Sequence, residues 1–135
     1  MTLKLYCDGG LNGKKNPSPE GVYWSVAMEK SNGEVVLLTE RAKSFDHFTN
    51  NDAEYLALIE ALGHAAVMAD GHSHVVVHSD SQLIVNQFNG RWKITGDRLK
   101  GLCTHAQHCA EFLTKKLELA VIWVPRSESV RTMGH

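Results

Sequence analysis

The chain of 135 residues contains 43% hydrophobic and 21% charged residues and carries a formal net charge of -1. This composition is typical of a globular protein, and it excludes both a disordered segment and a protein that binds nucleic acid through a large overall positive charge. The length is sufficient for a substantial core, so we expect a single domain over residues 1–135.

The periodicity of apolar residues predicts eight elements in the order βββαβααβ. They are, in chain order, strands over residues 2–8, 21–29 and 34–41, a helix over 50–69, a strand over 74–79, helices over 81–88 and 97–117, and a strand over 119–124. Asn32-Gly33 predicts a tight hairpin turn between the second and third strands. This order predicts an α/β fold with a five-stranded mixed sheet, three antiparallel strands then two parallel, flanked by helices.

The three cysteines are odd in number and form no CxxC pair. Free thiols of this kind are typical of a reducing compartment. The N-terminus leads directly into an apolar strand pattern rather than a signal segment, and no apolar stretch approaches the ~20 residues of a membrane span. We therefore expect a monomeric cytoplasmic protein that does not engage a membrane.

Three acidic residues occupy positions that a folded chain can bring together. Asp8 and Asp80 each end an apolar strand pattern, and Glu54 lies near the start of the longest predicted helix. Crowded carboxylates repel one another unless a cation neutralises them, and Mg²⁺ or Mn²⁺ does so with oxygen ligands. The pattern predicts metal-assisted phosphoryl chemistry. Taken singly, each acid also has a structural interpretation, as a turn residue, a first-turn helix acid or a helix cap.

Basic residues cluster in the second half of the chain, where Arg91, Lys93, Arg98 and Lys100 outnumber the acid Asp97. A basic cluster beside an acidic pocket suits a polyanion that is held for cleavage at metal ions. The alternative is a solvated surface without a ligand.

Several segments, in the same order and with sensible spacings, resemble type 1 ribonuclease H. They are Tyr6-Cys7-Asp8-Gly9-Gly10, Asn16-Pro17-Ser18-Pro19, Thr49-Asn50-Asn51-Asp52-Ala53-Glu54, Ser79-Asp80-Ser81-Gln82, Arg91-Trp92-Lys93, Asp97-Arg98-Leu99-Lys100 and Trp123-Val124-Pro125-Arg126. The short connection from residue 90 to residue 97 is similar to the family members that lack a long basic handle. The resemblance implies cleavage of the RNA strand of RNA–DNA hybrids, with two Mg²⁺ or Mn²⁺ ions per site when substrate is bound.

The resemblance implies that Asp8, Glu54 and Asp80 are the catalytic metal ligands. It also implies five substrate-binding residues, with a DNA-phosphate contact at Thr49, minor-groove contacts at three polar residues and an aromatic contact to the DNA strand: Asn16, Thr49, Asn51, Gln82 and Trp92. Each has an ordinary alternative. Thr49, with Asp52 three residues later, also fits a capping box at the helix start, and Trp92 fits burial in the core equally well.

The C-terminal segment departs from the family pattern. Counting from Arg126 places Met133 where the family has a fourth metal-binding Asp, and the final helix is expected to be absent or truncated. Glu128 and His135 are the candidates for a replacement ligand, with a frayed terminus as the alternative. Two other functions therefore stay open: a catalytically weak nucleic-acid-binding module, or another metal-dependent nuclease on the same fold.

Overall fold

A computed structural model describes residues 1–13, 16–17, 20–43 and 48–128 of the chain. The elements are, in chain order, β1 (Thr2–Leu11), β2 (Val22–Glu29), β3 (Val35–Lys43), α1 (Asn50–Met68), β4 (His74–Ser79), α2 (Gln82–Phe88), α3 (Asp97–Thr114) and β5 (Glu118–Trp123). The five strands form one sheet in the order β3-β2-β1-β4-β5. The predicted fold class is confirmed, because β1–β3 pair antiparallel while β1, β4 and β5 pair parallel.

The first strand is longer than its apolar pattern predicts. The sequence places its end at Asp8, but β1 continues through Gly9 and Gly10 to Leu11, paired with β2 down to Val22. Glycine has a low strand propensity, so the local pattern underestimates a segment whose extended form is stabilised by its neighbouring strand. Asp8 therefore lies within β1, opposite Ser25, rather than at its end.

Helix α1 covers the sheet and forms the centre of the core. Its inward face consists largely of alanine and leucine, and Ala53, Leu58 and Leu62 are fully buried. Small side chains permit a close approach, so α1 packs directly against β1 on one side and α3 on the other. In the described segments, no helix has the length and apolar character needed to cross a bilayer.

Gly9 lets the start of α1 approach β1. A Cβ atom at this position would lie 2.4 Å from both the carbonyl carbon and the oxygen of Ala53, and 2.7 Å from the amide nitrogen of Glu54. These atoms belong to backbone and cannot move independently of the helix. The absence of a side chain at Gly9 therefore sets how near Glu54 comes to β1.

Candidate metal centre and flanking grooves

The three acids predicted to act together do lie together. Asp8 is on β1, Glu54 is in the second turn of α1, and Asp80 follows the last residue of β4. One carboxylate oxygen from each lies within 4.8 Å of the others. A single divalent cation can contact oxygens at this spacing, since Ca²⁺-, Mg²⁺- and Mn²⁺-type ions are bound by converging carboxylates.

The surroundings of the three acids disfavour negative charge unless a cation is present. Asp8 and Glu54 are buried, and the pKa of Glu54 is raised well above its usual value by burial, then by the charges of Asp80 and Asp8. The neighbouring Cys7 thiol also has a raised pKa, first because it is buried and then because of the same carboxylates. Glu54 Oε2 is buried and accepts no hydrogen bond from any residue that the structure describes. A hard cation fits this donor set, because it would satisfy that oxygen and offset the repulsion.

Arg126 is a cation at this cluster that the sequence did not assign to the site. Its Nη1 lies 3.2 Å from Asp80 Oδ2, and its side chain also hydrogen-bonds Tyr23. Partial burial would lower the pKa of Arg126, but the charges of Asp8 and Asp80 outweigh this effect and raise it. The available signal was the Pro-Arg pair that ends the last matching segment, although nothing in its spacing indicated a contact with Asp80.

Three of the predicted substrate-binding residues share one groove. Asn16, Thr49 and Asn51 line a cleft of about 470 Å³ between the N-termini of α1 and α3, together with Arg98. The predicted capping box is present: Thr49 Oγ1 accepts from the Asp52 amide at 3.2 Å, and Asp52 Oδ2 accepts from the Thr49 amide at 2.8 Å. Arg98 Nη1 lies 2.9 Å from the same Asp52 oxygen. The groove thus combines a helix N-terminus, a hydroxyl and a guanidinium, which together suit an anionic group.

The other two predicted substrate-binding residues lie in a second groove. Gln82 and Trp92 line a cleft of about 380 Å³ that also includes Arg91 and Trp123. Trp92 is 47% exposed, so the alternative interpretation that it is buried in the core is wrong. Each groove is linked through the chain to one of the three acids. Thr49 of the first groove caps α1, the helix that carries Glu54, and Gln82 of the second groove begins α2, the helix that follows Asp80.

The structure describes only part of the predicted C-terminal site. Residues 126–128 form a helical turn, and Glu128 does not belong to the group of three carboxylates that lie within 4.8 Å of one another. Glu128 instead acts on His78, whose pKa is lowered by burial while the Leu5 carbonyl and then Glu128 oppose that shift. Met133 and His135 lie outside the described residues.

Comparison with known proteins supports the resemblance seen in the sequence. A family model described as reverse transcriptase-like matches residues 7–131. The bifunctional protein Rv2228c of Mycobacterium tuberculosis is 34% identical over 129 residues, and ribonuclease HI of Halobacterium salinarum is 32% identical over 129 residues; each match covers 96% of this chain. The relatives are longer, because the chain spans 33% of the first and 59% of the second.

Solved structures give the same result for the fold. The N-terminal RNase H domain of Rv2228c superimposes with a TM-score of 0.76 at 28% identity, covering 99% of this chain and 95% of that chain. LC11-RNase H1, solved in complex with an RNA/DNA hybrid, gives a TM-score of 0.76 at 28% identity, covering 98% and 91%. The chain therefore belongs to the reverse transcriptase-like family, and its domain is ribonuclease HI-like.

Proposed function

We propose that the protein is a ribonuclease H that hydrolyses the RNA strand of RNA–DNA hybrids endonucleolytically, with Mg²⁺ or Mn²⁺ bound by Asp8, Glu54 and Asp80. The observation that carries this proposal is the convergence of the three carboxylates within 4.8 Å, with a buried oxygen of Glu54 left without a described hydrogen-bond donor. Similarity to ribonuclease HI of Halobacterium salinarum and to LC11-RNase H1 supports the choice of substrate.

The chemistry follows from where the acids sit. Asp8, Glu54 and Asp80 would hold the ions, and metals bound there in the presence of substrate would supply activation of the attacking water and stabilisation of the leaving 3′ oxygen. Asp8, on β1, and Asp80, directly after the neighbouring parallel strand β4, fix the ligand spacing through the sheet, and Glu54 adds a ligand from the helix that crosses it. The protein's contribution is thus a rigid, largely buried set of oxygens.

The two grooves supply substrate binding in this proposal. Thr49, at the N-terminus of α1, binds a phosphate of the DNA strand, where backbone N–H groups and a hydroxyl act together. Asn16, Asn51 and Gln82 contact the minor groove, in which the 2′-OH distinguishes RNA from DNA. Trp92 offers an exposed aromatic face to the DNA strand. Recognition of both strands explains a preference for the hybrid over either homoduplex.

The cellular setting is also a proposal. All three cysteines are free, and Cys7 is buried beside the acids. A reducing compartment such as the cytoplasm would keep these thiols unmodified. We propose that the protein acts there as a single-domain monomer.

A comparison of labelled duplexes tests the proposed substrate. The chain is incubated with RNA–DNA, RNA–RNA and DNA–DNA duplexes of one sequence, in Mg²⁺, in Mn²⁺ and in EDTA. We expect internal cleavage of the RNA strand of the hybrid in either metal and none in EDTA. Equal cleavage of the DNA–DNA duplex would contradict the proposal and favour a different metal-dependent nuclease.

A second candidate is a hybrid-binding module with weak catalysis. It is favoured by the composition of the centre, which has three carboxylates and one arginine among the described residues. Binding of the hybrid at concentrations where cleavage stays undetectable in both metals would support this alternative over the enzyme.

Thr49→Ala should weaken hybrid binding more than it slows turnover at saturating substrate, because a phosphate contact contributes mainly positioning. Loss of the N-cap should also destabilise the protein by about 0.5–2 kcal/mol. Binding is measured by fluorescence anisotropy and stability by thermal unfolding. Thr49→Ser keeps the hydroxyl and serves as the matched control, with both properties close to wild type. A lower melting temperature with unchanged affinity would leave Thr49 with the capping role alone.

Met133→Asp should lower the metal concentration needed for half-maximal cleavage. The thioether of Met133 is a soft, neutral group that binds hard cations poorly, whereas a fourth carboxylate would strengthen the second metal site. Metal titrations of initial rates give the comparison, with Glu128→Gln measured alongside. If Met133→Asp has no effect and Glu128→Gln raises the metal requirement, Glu128 already supplies the fourth ligand and the expectation for Met133 is wrong.

A further inference from the structure

We propose that Arg126 is a tethered counter-cation: it neutralises the acid cluster when no metal is bound and must leave Asp80 for the metals to bind fully. The inference rests on the proposed metal site at Asp8, Glu54 and Asp80. It adds a competition between a residue of this chain and the ions, which sets how much metal the protein needs.

The guanidinium of Arg126 lies against one of the three clustered carboxylates. Arg126 Nη1 lies 3.2 Å from Asp80 Oδ2, one of the carboxylates whose oxygens converge. An oxygen that accepts from a guanidinium has less capacity to coordinate a cation in the same direction, and a positive charge beside the cluster repels an incoming ion. The ion pair between Arg126 and Asp80 therefore competes with full occupancy of the site by metal.

The backbone next to Arg126 is held by hydrogen bonds, whereas its side chain is largely exposed. Val124 donates to the Ser79 carbonyl at 2.9 Å, and Trp123 Nε1 donates to the Asp80 carbonyl at 3.1 Å. These bonds hold the end of β5 against the residue that carries the metal ligand. The Arg126 side chain is nevertheless 62% exposed, compared with 4% for Asp80. The guanidinium can thus swing into solvent without disturbing the strand.

Arg126 has a second interaction beside the acid cluster. Arg126 also hydrogen-bonds Tyr23, which lies on β2 beside Asp8's strand. A guanidinium has five donors in a fixed planar arrangement, so it can hold a hydroxyl and a carboxylate at once. In the proposal, the Tyr23 hydroxyl is a second partner for the guanidinium when Asp80 binds a metal.

Competition has a measurable consequence. If Arg126 is docked on Asp80 for about 90% of the time in the metal-free protein, the apparent metal affinity is reduced about tenfold relative to a protein without the arginine. Arg126→Gln should therefore bind Mn²⁺ about tenfold more tightly. Because Arg126→Gln lacks the counter-cation, its melting temperature in EDTA should be lower than that of wild type. Because it binds Mn²⁺ more tightly, its melting temperature should rise more than that of wild type when Mn²⁺ is added.

The test is direct Mn²⁺ binding, by electron paramagnetic resonance of free Mn²⁺ or by calorimetry, to wild type and Arg126→Gln without nucleic acid. Arg41→Gln is the matched control, because Arg41 is 59% exposed and pairs with Glu60, outside the cluster. We expect tighter binding for Arg126→Gln alone. Equal or weaker Mn²⁺ binding by Arg126→Gln would overturn the inference. Absence of Mn²⁺ binding by wild type and variant alike would instead contradict the metal site and the proposed function.

A measurement on the wild-type protein covers the case in which Arg126→Gln fails to fold. The side-chain Nε–H resonance of Arg126 is followed by nuclear magnetic resonance while Mg²⁺ is added. It should move toward the position of an exposed arginine, while the Arg41 resonance stays in place. An Arg126 resonance that does not change as Mg²⁺ saturates the protein would overturn the proposal.

Discussion

Asp8→Asn and Asp80→Asn should abolish cleavage of the hybrid, with a loss of activity of more than about 100-fold. Mutation of a residue that only supports a metal ligand already lowers metal affinity or activity by about 10–100-fold, and loss of a ligand itself should cost more. Both side chains contribute an oxygen to the cluster and are almost fully buried. An amide in place of either carboxylate removes a unit of negative charge from the proposed cation site and leaves only a neutral carbonyl oxygen as a ligand.

The same substitutions should leave the metal-free protein folded. The pKa of Glu54 is raised by burial and then by the charges of Asp80 and Asp8, as expected for carboxylates that repel one another when no cation is bound. Removing the charge of Asp8 relieves part of this repulsion, so the melting temperature of Asp8→Asn in EDTA should equal or exceed that of wild type. Asp70→Asn, at an exposed turn, is the matched control and should keep full activity. If Asp80→Asn cleaved at the wild-type rate, Asp80 would not be a metal ligand.

Gly9→Ala should damage both stability and activity. The added methyl group would lie 2.4 Å from the backbone of Ala53, so α1 must move away from β1. Overpacking of this kind costs about 1–3 kcal/mol, and more where backbone has to shift. The movement also separates Glu54 from Asp8, so cleavage should fall along with the free energy of unfolding measured in urea.

Gly63→Ala provides the control for Gly9→Ala. Gly63 lies in the same helix, and nothing approaches its added Cβ within 4 Å. Alanine is favoured over glycine in helices by up to about 1 kcal/mol, so this variant should be slightly more stable than wild type and fully active. A Gly9→Ala protein with wild-type stability and activity would show that the helix does not depend on the close contact at Gly9.

The sequence predicted the elements and the central acids because these depend on local patterns. Asp8 and Asp80 follow alternating or continuous apolar runs, and parallel strands place such residues at one end of a sheet. The Thr49–Asp52 cap was predictable for the same reason, since three-residue spacing defines it. The structure confirmed the fold class and brought the acids together as predicted, while their metal-binding role remains a prediction.

Features that depend on distant parts of the chain were not predictable. The extension of β1 past Gly9 depends on pairing with β2, and the exposure of Trp92 depends on how its connection lies against β5. The contact between Arg126 and Asp80 joins residues 46 positions apart. Helix α3 was predicted to reach residue 117 but ends at Thr114, and the chain turns at Lys115 and Lys116 before β5.

The most direct test of the central claim is the chemistry of the RNA ends produced from a hybrid in Mn²⁺. If Asp8, Glu54 and Asp80 hold metal ions that activate water for displacement of the 3′ oxygen, the fragments should carry 5′-phosphate and 3′-hydroxyl groups, identified by mass spectrometry. The same products should be absent in EDTA and with Asp8→Asn. Fragments that end in 2′,3′-cyclic phosphate, formed by attack of the neighbouring 2′-OH, would contradict the account.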